Sequence, residues 1–312
     1  MIGVRGRRMR RSARTDVTTV GILGCGRAGS ALARAIGAGS GPVRLAGILS
    51  RRPRRAASVL RGVKGAEAFA DPPRMAAASD VILLCVPDDH VAGSAARLAA
   101  AAPLRGRVIL HVSGSLGSGV LASARLAGAS TGSLHPLTPL ATGARGAAAL
   151  RGAWFAIDGG RRALSAGRRI AGHLGGEVLT VTGPARSAWH LAATIISNHS
   201  TILASLALEL LEQESGLRGP RVRAAFASLL RSTAREIRDL GPLRALTGPA
   251  SRADLVTLRR HLALLDRSHS ALAPIYRSIS ALGVEMALRR GDIEEGKAKP
   301  ARRLLRGPRR GR

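Results

Sequence analysis

Short continuous apolar runs mark the first half of the chain, and helical spacing takes over in the second. Residues 17–23, 43–49, 80–88 and 107–112 are compact runs of Val, Ile and Leu bounded by Gly, Pro, Asp or Arg. Runs of that length without polar alternation predict strands buried on both faces, as in a parallel sheet. Residues 155–157 and 177–181 are weaker strand candidates. The alanine-rich stretch 28–36 predicts a helix between the first two strands. After Thr182-Gly183-Pro184 the strand signals stop. Residues 185–213, 220–240, 251–265 and 273–290 then read as helices, closed near Gly216, at Gly241-Pro242 and at Gly291. The pattern predicts an α/β domain over 17–183 and an all-helical domain over 184–295, with basic, disordered tails at 1–16 and 296–312.

The turn between the first strand and the first helix is Gly24-Cys25-Gly26-Arg27-Ala28-Gly29. A GxGxxG in strand–turn–helix context reads as a dinucleotide cradle of a Rossmann-like fold. Gly24 permits the turn, Gly26 admits a pyrophosphate close to the backbone, and Gly29 lets helix pack on strand. Arg27 and Ala28 open the helix, whose free N–H groups face the phosphates. The second strand ends in Ser50-Arg51-Arg52, and no acid occurs from 43 to 66. An NAD site usually offers a carboxylate there, whereas cations and hydroxyls suit the 2′-phosphate of NADP. NADP(H) is therefore the expected cofactor. Val86-Pro87, at the third strand's end, falls where a nicotinamide ribose lies. Cys25 and Cys85 read as small buried thiols.

Three further polar clusters qualify as site candidates. His111-Val112-Ser113-Gly114-Ser115 closes the fourth strand, where ligands lie in open α/β sheets. His135, in Leu134-His135-Pro136-Leu137, is placed to move a proton, unless its role is structural. Residues 189–208 contain no Asp, Glu, Lys or Arg, yet His190, Thr194, Ser197, Asn198 and Thr201 make them too polar for a membrane span. That stretch predicts a buried central helix. Its polar stripe of His190, Thr194, Ser197 and Thr201 faces either a substrate or neighbouring helices. In the third cluster, Ser251 and Asp254 fit a capping box, and Asp254, Thr257 and His261 share a helical face that is a second candidate site wall.

Composition narrows the class. The chain has 312 residues and a formal charge of +30, of which the two termini (1–16 and 297–312) carry 13. Such charge attracts polyanions, but six aromatics are too few for base-stacking platforms, so no specific nucleic-acid partner and no membrane partner are expected. Two cysteines, without zinc-site spacing, predict a metal-free cytoplasmic protein. Arginines before an apolar stretch ending in Cys25 imitate an export leader, but Asp16 and two threonines argue against one. Met9 is an alternative start to Met1.

Taken together these motifs resemble the oxidoreductase family that pairs a Rossmann-like domain with the DUF2520 domain, over roughly residues 17–290. The resemblance rests on Gly24–Gly29, Val86-Pro87-Asp88, Ser113-Gly114, residues 133–137, Trp189-His190 with Ser197-Asn198, and Thr247-Gly248-Pro249 with Arg252 and Asp254. More distantly the layout is similar to 6-phosphogluconate dehydrogenase-like enzymes such as pyrroline-5-carboxylate reductase. It implies an NADP domain joined to a helical domain, a homodimer through the helical domain, and a small carbonyl, hydroxyl or imine substrate between the two domains. Ser113 and His135 look like the serine and His-Pro histidine of prephenate dehydrogenases, so the resemblance gives His135, backed by Ser113, the proton and His190 a supporting catalytic place. Gly114, Arg186, Asn198 and Asp254 become substrate contacts. Arg186 and His190 occupy the spacing of the catalytic lysine and asparagine of β-hydroxyacid dehydrogenases. Arginine is a poor proton donor at neutral pH, so Arg186 is expected to clamp a substrate anion. The alternative from another class is a noncatalytic NADP-binding sensor or scaffold.

Overall fold

The computed structural model describes residues 17–183, 185–269 and 271–306. Eight strands form one sheet: β1 (Thr18–Leu23), β2 (Val43–Leu49), β3 (Glu67–Phe69), β4 (Val81–Leu84), β5 (Val108–His111), β6 (Ser130–Pro136), β7 (Trp154–Gly159) and β8 (Glu177–Thr180). Their spatial order is β3-β2-β1-β4-β5-β6-β7-β8, parallel throughout except for the antiparallel β6–β7 pair. Seven helices connect them: α1 (Arg27–Gly37), α2 (Pro53–Leu60), α3 (Pro72–Ala78), α4 (Asp88–Ala101), α5 (Ala122–Leu126), α6 (Gly143–Ala149) and α7 (Arg161–His173).

The sheet's apolar runs are explained by burial on both faces. In β4, Val81 and Leu83 join a core with α1, α2 and α7, while Ile82 and Leu84 join one with α3, α4 and α5. A strand apolar at every position is what helices on both sides of a parallel sheet require. Strand order reverses between β1 and β4, so a crevice opens beyond their carboxyl ends. All six strands expected from the sequence are present; β3 and β6 are short or glycine- and serine-containing and gave weaker patterns.

The helices that follow are α8 (Ala185–Thr194), α9 (Ser200–Ser215), α10 (Pro220–Leu240), α11 (Pro242–Ala245), α12 (Leu255–Ser268), α13 (Leu272–Arg290) and α14 (Glu295–Leu305), with a π-helical turn at Ile195–His199. The chain divides into two compact units between Asn198 and His199, fifteen residues beyond the expected 183/184 boundary, so α8 belongs to the sheet unit. The second unit has its own core, built from Leu258 and Leu262 of α12, Val284 and Ala287 of α13, and Ala298, Ala301 and Leu305 of α14.

Two expectations need correction. The stretch 189–208 is not a buried helix: α9 buries no residue, and Ile196 is 72% exposed. Lack of charge marks a surface that needs cover without saying what covers it. The 296–312 tail is helical as far as Leu305. Pro300 and a dense run of Lys and Arg disguise the helical spacing of Ala298, Ala301 and Leu305, and Arg302 is neutralised by Glu285 at 2.9 Å. The tail expected at 1–16, and residues 307–312, lie outside the described residues. Leu305→Ala should therefore lower the unfolding free energy of the second unit by about 2–4 kcal/mol; a denaturant melt without change would return this segment to the status of a tail.

Candidate functional site

Three glycines shape the turn after β1, each for a different reason. Gly24 has φ +108°, and a β-carbon there would lie 2.3 Å from the carbonyl oxygen of Cys85. At Gly29 a β-carbon would lie 2.1 Å from the Gly24 carbonyl oxygen, so α1 packs directly on the turn. At Gly26, the residue capping α1, a β-carbon would meet nothing within 4 Å. Two glycines thus allow close backbone packing, and the third faces open space at a helix N-terminus, where free N–H groups attract anions. Arg27 is exposed and Ala28 half-buried beside it. The turn therefore leaves the N-terminus of α1 open.

The neighbouring strand end is cationic. Arg51 and Arg52 are exposed, and the Ser50 hydroxyl accepts the Arg52 backbone N–H at 3.1 Å. Arg54 and Arg55 follow, also exposed, in the first turn of α2. On the other side of β1, Val86 and Pro87 leave β4 and lead into α4. Cys25 and Cys85 are free and buried, and burial, with Cys25 adding to it, pushes the Cys85 thiol up to about 12. A thiol held protonated in this way is packing rather than a nucleophile.

Beyond β5 and β6 a second group assembles. His135 donates Nδ1–H to the Val112 carbonyl at 3.1 Å; a carbonyl only accepts, so the proton is fixed on Nδ1 and Nε2 is left as the free nitrogen. His190, on α8, meets it edge to face with ring centroids 6.0 Å apart. Gly114 lies beneath both: a β-carbon there would come within 2.5 Å of His190 Nδ1 and 2.8 Å of His135 Nε2. His190 Nδ1 is buried with no hydrogen-bond partner among the described residues. Burial lowers the His135 pKa, His190 and Arg186 push the same way, and the Val112 bond and Asp88 oppose them.

Two expected roles change. The Ser113 hydroxyl donates to Asp88 Oδ2 at 2.7 Å and accepts the N–H groups of Ser115 and Leu116 at 3.2 Å each. Its donor is already used, so it does not back His135 directly. Arg186 is 1% exposed, and its guanidinium donates to the carbonyls of Ser113 at 2.8 Å and Val181 at 3.4 Å. Burial lowers its pKa while Asp158 sustains its charge. Enclosed in this way it braces the turn below Gly114 through Nη1 and Nη2 in place of the expected anion clamp, and its buried Nε has no hydrogen-bond partner among the described residues.

Asn198 is exposed at the end of the sheet unit, within the π-helical turn. Asp254 is in the other unit, where it caps α12 by accepting the N–H and hydroxyl of Thr257 at 3.1 and 2.7 Å. Ser251 donates instead to the Gly248 carbonyl, so the expected capping box reduces to a single aspartate cap.

Sequence reasoning missed Asp88 as a site component, although it stands in the Val86-Pro87-Asp88 motif. It also missed a buried polar row across three strands, His111, Ser133 and Asp158, paired in register. Burial, with Arg186, lowers the His111 pKa to about 4, so it is neutral near pH 7. Two surface cavities of about 400 and 410 Å³ lie at the amino ends of the strands and contain none of these residues.

The architecture is that of a Rossmann-like α/β domain followed by helices, and comparison with known proteins agrees. Residues 6–136 match the family model described as a Rossmann-like domain, and residues 153–282 match the domain of unknown function DUF2520. The chain thus carries the Rossmann-like and DUF2520 pairing that its motifs resemble. No curated protein matches it. Among solved structures it is similar to the putative NADP oxidoreductase BF3122 from Bacteroides fragilis, with 22% identity and a TM-score of 0.68 over 87% of this chain and 99% of that one. Protein TM1727 from Thermotoga maritima gives 23% and 0.64 over the same shares. A reductive aminase from Aspergillus terreus, solved with NADPH and ethyl levulinate, gives 22% and 0.58 over 88% and 95%. At these identities the likeness establishes the fold.

Proposed function

We propose that the protein is an NADP-dependent oxidoreductase that passes hydride between the nicotinamide and a small carbonyl, hydroxyl or imine compound. The observation that carries this reading is that one sheet edge presents both an open glycine cradle after β1 and a paired-imidazole group at β6 and α8. Gly24, Gly26 and Gly29 would hold the pyrophosphate, and Ser50, Arg51 and Arg52 the 2′-phosphate. Bound NADPH supplies the hydride; alignment and the proton come from the protein. His135 Nε2 is the group that gives or takes the proton, with Nδ1 anchored on Val112. His190 contacts the substrate over Gly114, and Arg186 holds the floor of the site. The related NADPH-bound reductive aminase supports this reading.

A cytoplasmic homodimer is the assembly we propose with it. Neither α9 nor α10 buries a residue, and Leu191, Ile195, Ile196, Ile202, Leu229 and Leu230 are all exposed. Exposed apolar side chains in such number mark an interface, and a second copy of the helical region offers the matching chemistry. Light scattering should give twice the 32.3 kDa chain mass, and Leu229→Glu with Leu230→Glu should return a monomer. A native monomer would end the dimer proposal.

Cofactor binding is testable without knowing the substrate. Gly26→Val should abolish NADPH binding in calorimetry while the fold survives, because its side chain enters the cradle and not the core. Gly29→Val should cost the fold several kcal/mol through its clash with Gly24. Arg51→Ala with Arg52→Ala should bring NADPH and NADH affinities together by removing contacts worth about 1–3 kcal/mol. Unchanged NADPH binding in Gly26→Val would refute the cradle.

Catalysis needs a panel of keto acids, ketones and cyclic imines. With any substrate turned over, His135→Asn should lower kcat about 10²–10⁴-fold at nearly constant NADPH affinity. Its lowered pKa fixes the sign of the pH effect. Reduction, which consumes the imidazolium proton, should quicken as pH falls into the range below an ordinary histidine; oxidation should quicken as pH rises through it. Tight NADPH binding without turnover across the panel would favour a sensor or scaffold.

A further inference from the structure

Asp88 has no role in the chemistry described so far, yet the turn between β5 and the site is organised around it. Its Oδ2 atom receives the hydroxyls of both Ser113 and Ser115, each at 2.7 Å. Because the Ser113 proton is committed to that carboxylate, the oxygen's lone pairs are aimed at the backbone N–H groups of Ser115 and Leu116, at 3.2 Å each. The carboxylate therefore sets the shape of residues 113–116 through one hydroxyl. From the opposite side Arg186 holds the Ser113 carbonyl at 2.8 Å. Val112, immediately before the clamped turn, supplies the carbonyl that holds His135 Nδ1–H, and its own N–H reaches Leu84 at a longer 3.3 Å. Asp88 opens α4 directly after β4, the strand paired with β5. The cofactor-side strand thus fixes the geometry of the proton-side turn.

We propose that Asp88 is a positioning residue: by clamping Ser113 and Ser115 it holds the Val112 carbonyl where it keeps the His135 proton on Nδ1 and presents Nε2 toward Gly114 and His190. The proposal rests on the reading of His135 as the proton-moving group. A neutral imidazole has one donor and one acceptor nitrogen, so losing the Val112 bond frees the proton to move to Nε2. The acceptor would then point away from Gly114. The charged and titratable groups facing His135 are His190 and Arg186 from α8 and Asp88 from α4.

The tautomer can be read directly from the full-length protein labelled with ¹⁵N-histidine, by long-range ¹H–¹⁵N correlation at a pH where the ring is neutral. His135→Asn assigns the resonances. The native chain should show His135 as the Nδ1–H form. Asp88→Ala should shift it to a mixture or to the Nε2–H form. Asp88→Asn, which keeps an oxygen able to accept both hydroxyls, should restore the native pattern. Should Asp88→Ala fail to fold, Ser113→Ala with Ser115→Ala removes the same two bonds from the other partner and should give the same tautomer change. Once a substrate is known, Asp88→Ala should lower kcat about 10–100-fold, as loss of an orienting partner does, with NADPH affinity unchanged. A native His135 tautomer in Asp88→Ala or in the double serine variant overturns the proposal. If His135→Asn is inactive while Asp88→Ala keeps the native tautomer and rate, the positioning role fails and the functional reading stands. If no substrate turns over but the tautomer shifts as expected, the functional reading fails and the positioning of the ring stands.

Discussion

A buried guanidinium ties the first helix after the sheet to the end of strand β5, and the geometry of the site depends on it. Removing an arginine from water is costly, and the protein offsets that cost with the Ser113 and Val181 carbonyls and the nearby charge of Asp158. The bond to Ser113 fixes how α8 lies against the 112–116 turn. His190 is one helical turn beyond Arg186, on the same face, so anchoring the arginine also sets the imidazole over Gly114. A lysine here has one compact ammonium in place of a planar fork and would not brace two carbonyls from fixed directions.

Backbone packing is as important as the side chains in this arrangement. The cradle exists because Gly24 and Gly29 let the β1 turn, the end of β4 and the start of α1 approach within distances that no β-carbon allows. The same device recurs at Gly114, where a missing side chain makes room for two imidazoles. In both places glycine serves by leaving space. The β1 turn and the His135–His190 pair lie on opposite sides of β4 in the strand order.

The His111, Ser133 and Asp158 row crosses β5, β6 and β7. Asp158 accepts the N–H groups of Ser118 and Gly159 at 2.9 and 2.7 Å, while His111 bonds the Gly117 carbonyl at 3.3 Å. The Ser118 bond ties the loop after β5 to β7, two strands away in the sheet. Burial holds His111 neutral, so the row contributes hydrogen bonds and one carboxylate charge, which balances Arg186. Within the row, Ser133 Oγ and His111 Nδ1 have no hydrogen-bond partner among the described residues, so the three residues share register and burial without bonding one another.

The sheet, the glycine turn and the limits of α1, α10 and α13 were legible in the sequence because each is a local matter. Apolar runs such as Val81–Leu84 state that both faces are covered, and the spacing of Gly24, Gly26 and Gly29 states a turn that must pass close to backbone. Helix α14 escaped because Pro300 and its charged neighbours hide an apolar stripe that only packing against α12 and α13 reveals. The partners of Ser113, Arg186 and His135 were not legible. Ser113 bonds a carboxylate 25 residues earlier, and Arg186 bonds a carbonyl 73 residues earlier. The order of strands decides such pairs, and local periodicity does not encode that order. The family resemblance gave Arg186 an anion and Ser113 a histidine; the folded chain gave the first a backbone carbonyl and the second an aspartate, because buried donors take the acceptors that tertiary packing brings within reach.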